Sequence, residues 1–414
     1  MEIAGSISEG KKGYLGAKRL NNRSIPRFSG SVDKQRGTLE TKKITSGMIA
    51  AANASSTSDL PLGRKEQASR AKAYEFNPLS DPRWEIFIAG HPQASVFHTT
   101  SWIRTLETTY GYEPLGITTC SPDMALNNGL VFCRIKSRFT GRRFVSLPFS
   151  DHCEPLVNNS QELDDLLSHM KQYVDSGEWK YVEIRPIFNQ PESQNALGVR
   201  MYWLHRLDLG RSKQELFRSL QKDSIQRKIR RAEREKLLYD EGTSETLLEK
   251  FYELLVATRR RQYVPPQPLS WYRTLIASFG DRLKIRLASK GDVPVASILT
   301  ITHKNTLVYK YGCSDARLHP LGGMAFLLWK AIEDAKDMGL EQFDLGRSDN
   351  SNQGLVVFKE RWGALGTPLC YWTYPFRHSR IPEGWKRDLL RRVIPLTPNF
   401  VLKAAGKLLY GHIG

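Results

Sequence analysis

The order of the secondary-structure signals constrains this chain more than any single motif does. Asp81-Pro82, just after an ordered start near Phe76, reads as a helix start, with Asp as the cap and Pro in the first turn. A second helix follows Thr100 through Trp102, Ile103, Leu106 and Tyr110 at helical spacing and stops at Gly111. Strand-like runs come next at 115–119, 130–136 and 143–147, then a helix over 160–175 and a strand at 181–185 that Pro186 cuts off. After another strand at 201–209 the order returns. Helices at 247–261 and 271–279 precede strands at 283–288, 293–302 and 306–313, a helix over 324–338 and a strand at 342–345. Both stretches read helix, antiparallel strands, helix, strand, with no residue-level repeat between them. An α/β (α+β) chain of two similar units in tandem is the simplest architecture, with a first domain at 76–205 and a second at 206–376.

Composition limits what such a chain can be. It has 414 residues, 40% of them hydrophobic and 25% charged, enough for a real core without disulfide or metal staples. No apolar run approaches the roughly 18 residues a membrane span needs. Five cysteines are scattered with no CxxC, which predicts reduced thiols in a cytoplasmic protein. The histidines show no HExxH and no ligand spacing, so no metal site is expected; His98 and His152 read as satisfied or exposed side chains. Neither a GxSxG elbow nor a GxxxxGK[ST] loop is present. The net charge of +18 is uneven: residues 1–75 carry +7 and residues 375–414 carry +6, leaving +5 on the middle. Residues 1–75, poor in aromatics and without an apolar period, read as a disordered basic tail. The modest charge of the middle gives nucleic acid no strong footprint there.

Two local patterns point to chemistry. Residues 306–339 read strand, Gly-bearing turn, helix, a geometry that aims backbone N–H groups and a positive helix end at one spot. There Gly322 and Gly323 permit close backbone approach, and Gly323-Met324-Ala325 fits the end of the Gln/Arg-x-x-Gly-x-Gly/Ala motif with which GNAT acyltransferases hold coenzyme A. Pro320 stands where Gln or Arg is expected. Residues 343–364 then deliver Asp344, Gly346 and the polar loop from Arg347 to Asn352, followed by a short helix with Phe358, Lys359 and Trp362. Between the halves, residues 212–236 place Leu216, Leu220, Ile229 and Ala232 toward a core. Arg227, Arg231 and Arg234 share one helix face, flanked by Lys228 and Arg230.

The stretch FDLGRS…GLVVFKERWGA resembles the Fem-type aminoacyltransferases of peptidoglycan bridge synthesis, and more closely their FemAB-related, BioF2-like acetyltransferase relatives tied to exopolysaccharide clusters. FHTTSWIRTLETTYGY (97–112), SLPFSDHCEPL (146–156) and the basic run at 227–235 extend the resemblance over about 80–376. The long coiled-coil arm of some Fem enzymes has no room here. The resemblance implies two tandem GNAT-like domains, with an acceptor in a cleft between or along them. It places Phe358 and Lys359 at the acyl-transfer centre, Lys359 stabilising the charge that develops as an amine attacks the acyl carbonyl. It turns Asp151 and Glu154 toward the acceptor, where either carboxylate could orient the amine. Arg227, Lys228, Arg230, Arg231 and Arg347 become partners of the acceptor's phosphates, and Gly322, Gly323 and Ala325 the donor turn.

The expected function is transfer of an acyl or aminoacyl group to an amine of a nucleotide-linked or lipid-linked saccharide precursor of the cell envelope. No permanently bound cofactor is expected. The donor stays open between acyl-CoA, an acyl carrier protein thioester and aminoacyl-tRNA. A non-catalytic GNAT-fold binding protein is the rival reading. Residues 377–414 read as a basic amphipathic tail, suited either to peripheral contact with the inner face of a membrane or to packing on the second domain.

Overall fold

A computed structural model describes residues 72–187, 198–375 and 391–414. Its first half runs β1 (Tyr74–Phe76), α1 (Pro82–Gly90), α2 (Thr100–Tyr110), β2 (Glu113–Thr118), β3 (Leu130–Ser137), β4 (Gly141–Val145), α3 (Ser160–Asp175) and β5 (Val182–Ile184). A connecting stretch follows: β6 (Gly198–Asp208), α4 (Lys213–Ser219), a π-helical turn at Lys222–Gln226 and α5 (Arg227–Arg234). The second half repeats the first with β7 (Leu238–Gly242), α6 (Glu245–Arg261), α7 (Leu269–Phe279), β8 (Leu283–Lys290), β9 (Val293–His303), β10 (Thr306–Ser314), α8 (Gly323–Asp337) and β11 (Gln342–Asp349). The chain continues with α9 (Gln353–Glu360), β12 (Leu365–Tyr374) and α10 (Asn399–Ile413). Local signals set the helix ends. Asp81 accepts from the Arg83 N–H at 3.0 Å, Thr99 caps α2 through the Trp102 N–H, and Gly111 ends α2 in the left-handed region at φ 67°.

The described strands form one sheet of twelve, in the order β1-β2-β3-β4-β5-β12-β6-β11-β10-β9-β8-β7. Neighbours are antiparallel except β4·β5 and β10·β11, the equivalent parallel pair of each half. The centre is crossed. β6, which ends the first half, pairs with β11, while β12, which ends the second, pairs with β5. β6 and β12 pair with each other over nine residues, 365–373 against 206–198. The expected domain boundary at 205/206 therefore falls inside β6, a strand that belongs to both halves.

The sheet is covered on both faces. Ile285, Leu287, Leu299 and Ile301 join a core shared with α6, α7 and the first half's α1 and α2, whereas Ala296 and Ile298 point to a separate core under α4, α5 and α8. Trp102 of α2 meets Trp271 of α7 edge to face at 5.5 Å, so the equivalent helices of the halves pack on each other. A third core lies under α3. Leu216, Leu220, Ile229 and Ala232 are buried, as their spacing predicts.

Both expected tails change. Residues 1–71 lie outside the described residues, and Tyr74 and Glu75, assigned to that tail, pair in β1 with Thr118 and Ile117. Of the C-terminal tail, 377–390 lie outside the described residues, but α10 packs on the protein. The Tyr112 hydroxyl donates to the Tyr410 carbonyl at 2.8 Å, and Arg143 donates to the carbonyls of His412 and Gly414. The Tyr410 hydroxyl reaches the Pro265 carbonyl at 3.2 Å. The helix thus straps the β3–β4 hairpin of the first half to the α6–α7 loop of the second.

Candidate active site

The equivalent strands β10 and β11 stay paired only over Thr306↔Gln342, Leu307↔Phe343 and Val308↔Asp344. There both register patterns slip. Lys310 is left without an opposite on β9, and Leu345 and Gly346 without opposites on β6. Such bulges bend strands and re-aim side chains. Gly346 takes φ 71°, open to glycine at no steric cost. Asp151, from the loop after β4, enters at this point. Its Oδ2 accepts from Lys310 Nζ at 2.9 Å, and a Cβ on Gly346 would lie 3.2 Å from it.

Lys359 of α9 reaches the same glycine. Its Nζ donates to the carbonyls of Gly346 at 2.8 Å and Arg347 at 3.0 Å, and the residue is only 3% exposed. Burial brings its pKa down to about 7; Asp151 and Asp344 oppose that shift, and Arg347 and Lys310 add to it. Phe358 is half-buried beside Trp362. Asp344 is buried, its Oδ1 accepting the Gly346 N–H at 2.7 Å and its Oδ2 lying 3.4 Å from His152 Nε2 and 3.3 Å from Arg206 Nε. Burial alone would raise its pKa; His152, Arg206 and the Gly346 N–H hold it at about 2. The Arg347 guanidinium stands over the rings of Tyr202 (4.6 Å) and Tyr371 (4.8 Å), and the Tyr371 hydroxyl donates to the Asp151 carbonyl at 2.7 Å. Arg185 pairs with Glu183 at 2.9 Å and also faces Tyr371. Four cations (Arg185, Arg206, Lys310, Arg347) and the Lys359 amine thus meet three carboxylates (Asp151, Glu183, Asp344) at the seam of the halves, a site that favours a negatively charged group. Glu154 lies deeper. Its Oε2 accepts the Ile187 N–H, no donor among the described residues reaches Oε1, and burial raises its pKa to about 7.

The expected donor turn has another use for its glycines. Gly322 adopts φ 81°, and a Cβ there would collide with the Lys228 carbonyl; one on Gly323 would sit 2.8 Å from Val295 Cγ1. Ala325 is in the core. These residues let α5 and β9 pack closely against the start of α8, so the close approach is made by the protein's own backbone. The helix start still lacks a side-chain cap and an acidic residue in its first turn, whereas the equivalent α3 is capped by Asn159 and carries Glu162.

The expected phosphate partners do not converge. Arg347 is at the seam, while Arg227, Lys228, Arg230 and Arg231 are exposed on α5, beside the start of α8. Arg231 pairs with Glu235 at 2.7 Å, and Arg230 lies over Phe217 at 5.7 Å. Helical spacing groups four cations on one element but does not say where that element docks. Arg185, Arg206, Lys310, Tyr202 and Tyr371 escaped sequence reasoning because they come from four separate strand regions. Lys310 did carry a signal, as the lone charge among the aromatic and aliphatic residues of TLVYKYGCS.

Residues 219–360 match the model of the Acetyltransferase (GNAT) domain. A crystal structure of FemX superposes with a TM-score of 0.57 at 14% identity, covering 72% of this chain and 96% of that one. The C-terminal domain (DUF2156) of an Agrobacterium fabrum protein named as a lysylphosphatidylglycerol synthetase gives 0.47 at 13% identity, over 70% and 90%. A tandem GNAT protein from the clavulanic acid biosynthesis pathway gives 0.44 at 10% identity, over 74% and 99%. No curated protein sequence matches the chain. The chain has the GNAT acyltransferase fold, in two tandem copies.

Proposed function

We propose that this protein is an N-acyltransferase that moves an acyl or aminoacyl group onto an amine of a nucleotide-linked or lipid-linked cell-envelope or exopolysaccharide precursor. The observation that carries the reading is the opening between β10 and β11 at Gly346, with Lys359, Lys310 and Asp151 around it. Its acceptor class rests on the Fem-like sequence stretches, and the similarity to the FemX fold supports it.

The amine nitrogen attacks the acyl carbonyl carbon, negative charge builds on the carbonyl oxygen, and the donor's thiolate or hydroxyl leaves. The protonated form of Lys359 and the neighbouring Lys310 supply the positive field for that oxygen. Asp151, fixed by Lys310, orients the amine and draws its proton. The donor's phosphates lie at the uncapped start of α8, next to the α5 cations. Coenzyme A, a carrier-protein phosphopantetheine and aminoacyl-tRNA all present such phosphates. The test is turnover of Lys359→Ala, by mass spectrometry of products from amine-bearing nucleotide sugars and each donor class. Loss of a preorganised charge-stabilising group is worth about 10²–10³ in rate. A variant that folds and turns over like the parent removes Lys359 from the chemistry.

A further inference from the structure

We infer that the outward face of α10 is a docking surface for an anionic lipid bilayer. Leu402, Gly406 and Tyr410 are the face α10 turns inward, and they are buried. Opposite them Phe400 is 74% exposed and Leu408 62%, with Val401 beside them and Leu396, at 86%, just before the helix. Phe139 extends the patch. It is 76% exposed at the β3–β4 turn, and its ring packs edge-on against His412 at 4.8 Å. Large apolar side chains this exposed, grouped along one helix and its neighbour, are unusual on a surface that meets only water.

The charge decides the occupant. Residues 391–414 contain Arg391, Arg392, Lys403 and Lys407 and no Asp or Glu. Lys407 follows Phe400 at i+7, so it borders the apolar stripe, where its long stem lets the ammonium reach phosphates while the stripe enters the interface; Lys403, nearer the inner face, stands over the Tyr252 ring at 5.3 Å. A second copy of this face would set like charges together, with no carboxylate in residues 391–414 to pair them, which weighs against a dimer. The chain between β12 and α10 is no better cover, because Arg377, Arg380, Lys386 and Arg387 outnumber Glu383 and Asp388. None of the described helices is long and apolar enough to cross a membrane, so the helix lies along the surface. Its inner face is held by the protein, so the surface is ordered before it meets lipid, and binding needs no folding of the helix.

The experiment is flotation of the full chain with phosphatidylglycerol-rich and with phosphatidylcholine-only vesicles, across a salt series. Binding to the anionic vesicles that weakens with salt is expected. Each cation at such a surface is worth about fivefold in affinity, so Arg392→Ala with Lys407→Ala should weaken binding roughly 25-fold. Phe400→Ser with Leu408→Ser should weaken it further, and an unchanged thermal transition would show that the inner face of α10 stays packed. The inference is overturned if the parent binds neither vesicle, or if these variants bind as the parent does. It also fails if sedimentation shows a dimer that Phe400→Ser with Leu408→Ser dissolves. None of these readouts uses acyl transfer, so the inference and the proposed function stand or fall separately.

Discussion

Lys359 shows how burial turns an ordinary side chain into a tuned one. Its amine sits among protein atoms with two carbonyl acceptors, and its pKa falls from the usual lysine range to about 7. The consequence for stability has a definite sign. Between about pH 7 and the unfolded lysine value near 10.4, the unfolded chain holds a proton at this site that the folded chain does not. Stability therefore rises with pH across that window. At about 1.4 kcal/mol per pH unit the full effect is on the order of 5 kcal/mol. Denaturant titrations of the parent and of Lys359→Met at pH 7, 8 and 9 should differ in slope, the variant lacking this contribution. Parallel curves would mean that the amine is not desolvated in the folded state. Lys359 was legible as a candidate in the stretch GLVVFKERWGA, through its resemblance to the Fem-type enzymes. That it grips the backbone of Gly346 and Arg347 was not, because those contacts depend on how α9 folds back over β11.

Single elements carry different amounts of their own fate. The two main α/β repeats were readable because their strands are apolar runs and each of their main helices has a cap or stop of its own. β12 was not. Its sequence, LGTPLCYWTY, opens with Gly366 and Pro368, which read as turn residues. The structure accommodates Pro368 because β5 flanks β12 only at 372–374, leaving the strand edge-like where the proline lacks its N–H. In α10 a glycine reports on docking. Gly→Ala inside a helix normally gains about 1 kcal/mol from propensity. At Gly406 a Cβ would run into the Pro266 carbonyl, so the strap would have to lift. Gly406→Ala is expected to lose about 1–3 kcal/mol instead, as overpacking does. The midpoint of denaturant unfolding decides between the signs.

In the whole molecule the crossed strands matter most. Each half completes its sheet with the other half's last strand, and the α2–α7 contact gives them a common core. Separation would expose the β5 edge and the Trp102 face together, a combination prone to aggregation. Residues 72–197 expressed alone are therefore expected to be insoluble or molten. The full chain should unfold in one transition, with far-UV circular dichroism and tryptophan fluorescence coincident. Two separated transitions would show that the halves are independent domains.

What the sequence determined by itself is local. Apolar periods, caps and glycine stops mark most of the elements, and the repeated order of those elements implies tandem units. Tertiary structure decided everything that depends on separation along the chain. Asp151 and Lys310 are 159 residues apart, and Arg206 and Asp344 138, yet each pair lies within about hydrogen-bonding distance. Spacing within one helix places Arg227 and Arg231 side by side but cannot say that α5 will rest on the start of α8. That position is set by a collision-free glycine, Gly322, and by the burial of Ile229 and Ala232. The sharing of β6 and β12 has the same cause. A strand's partner is chosen by where its edge finds unpaired backbone groups, and that is a property of the folded sheet, not of the ten residues in the strand.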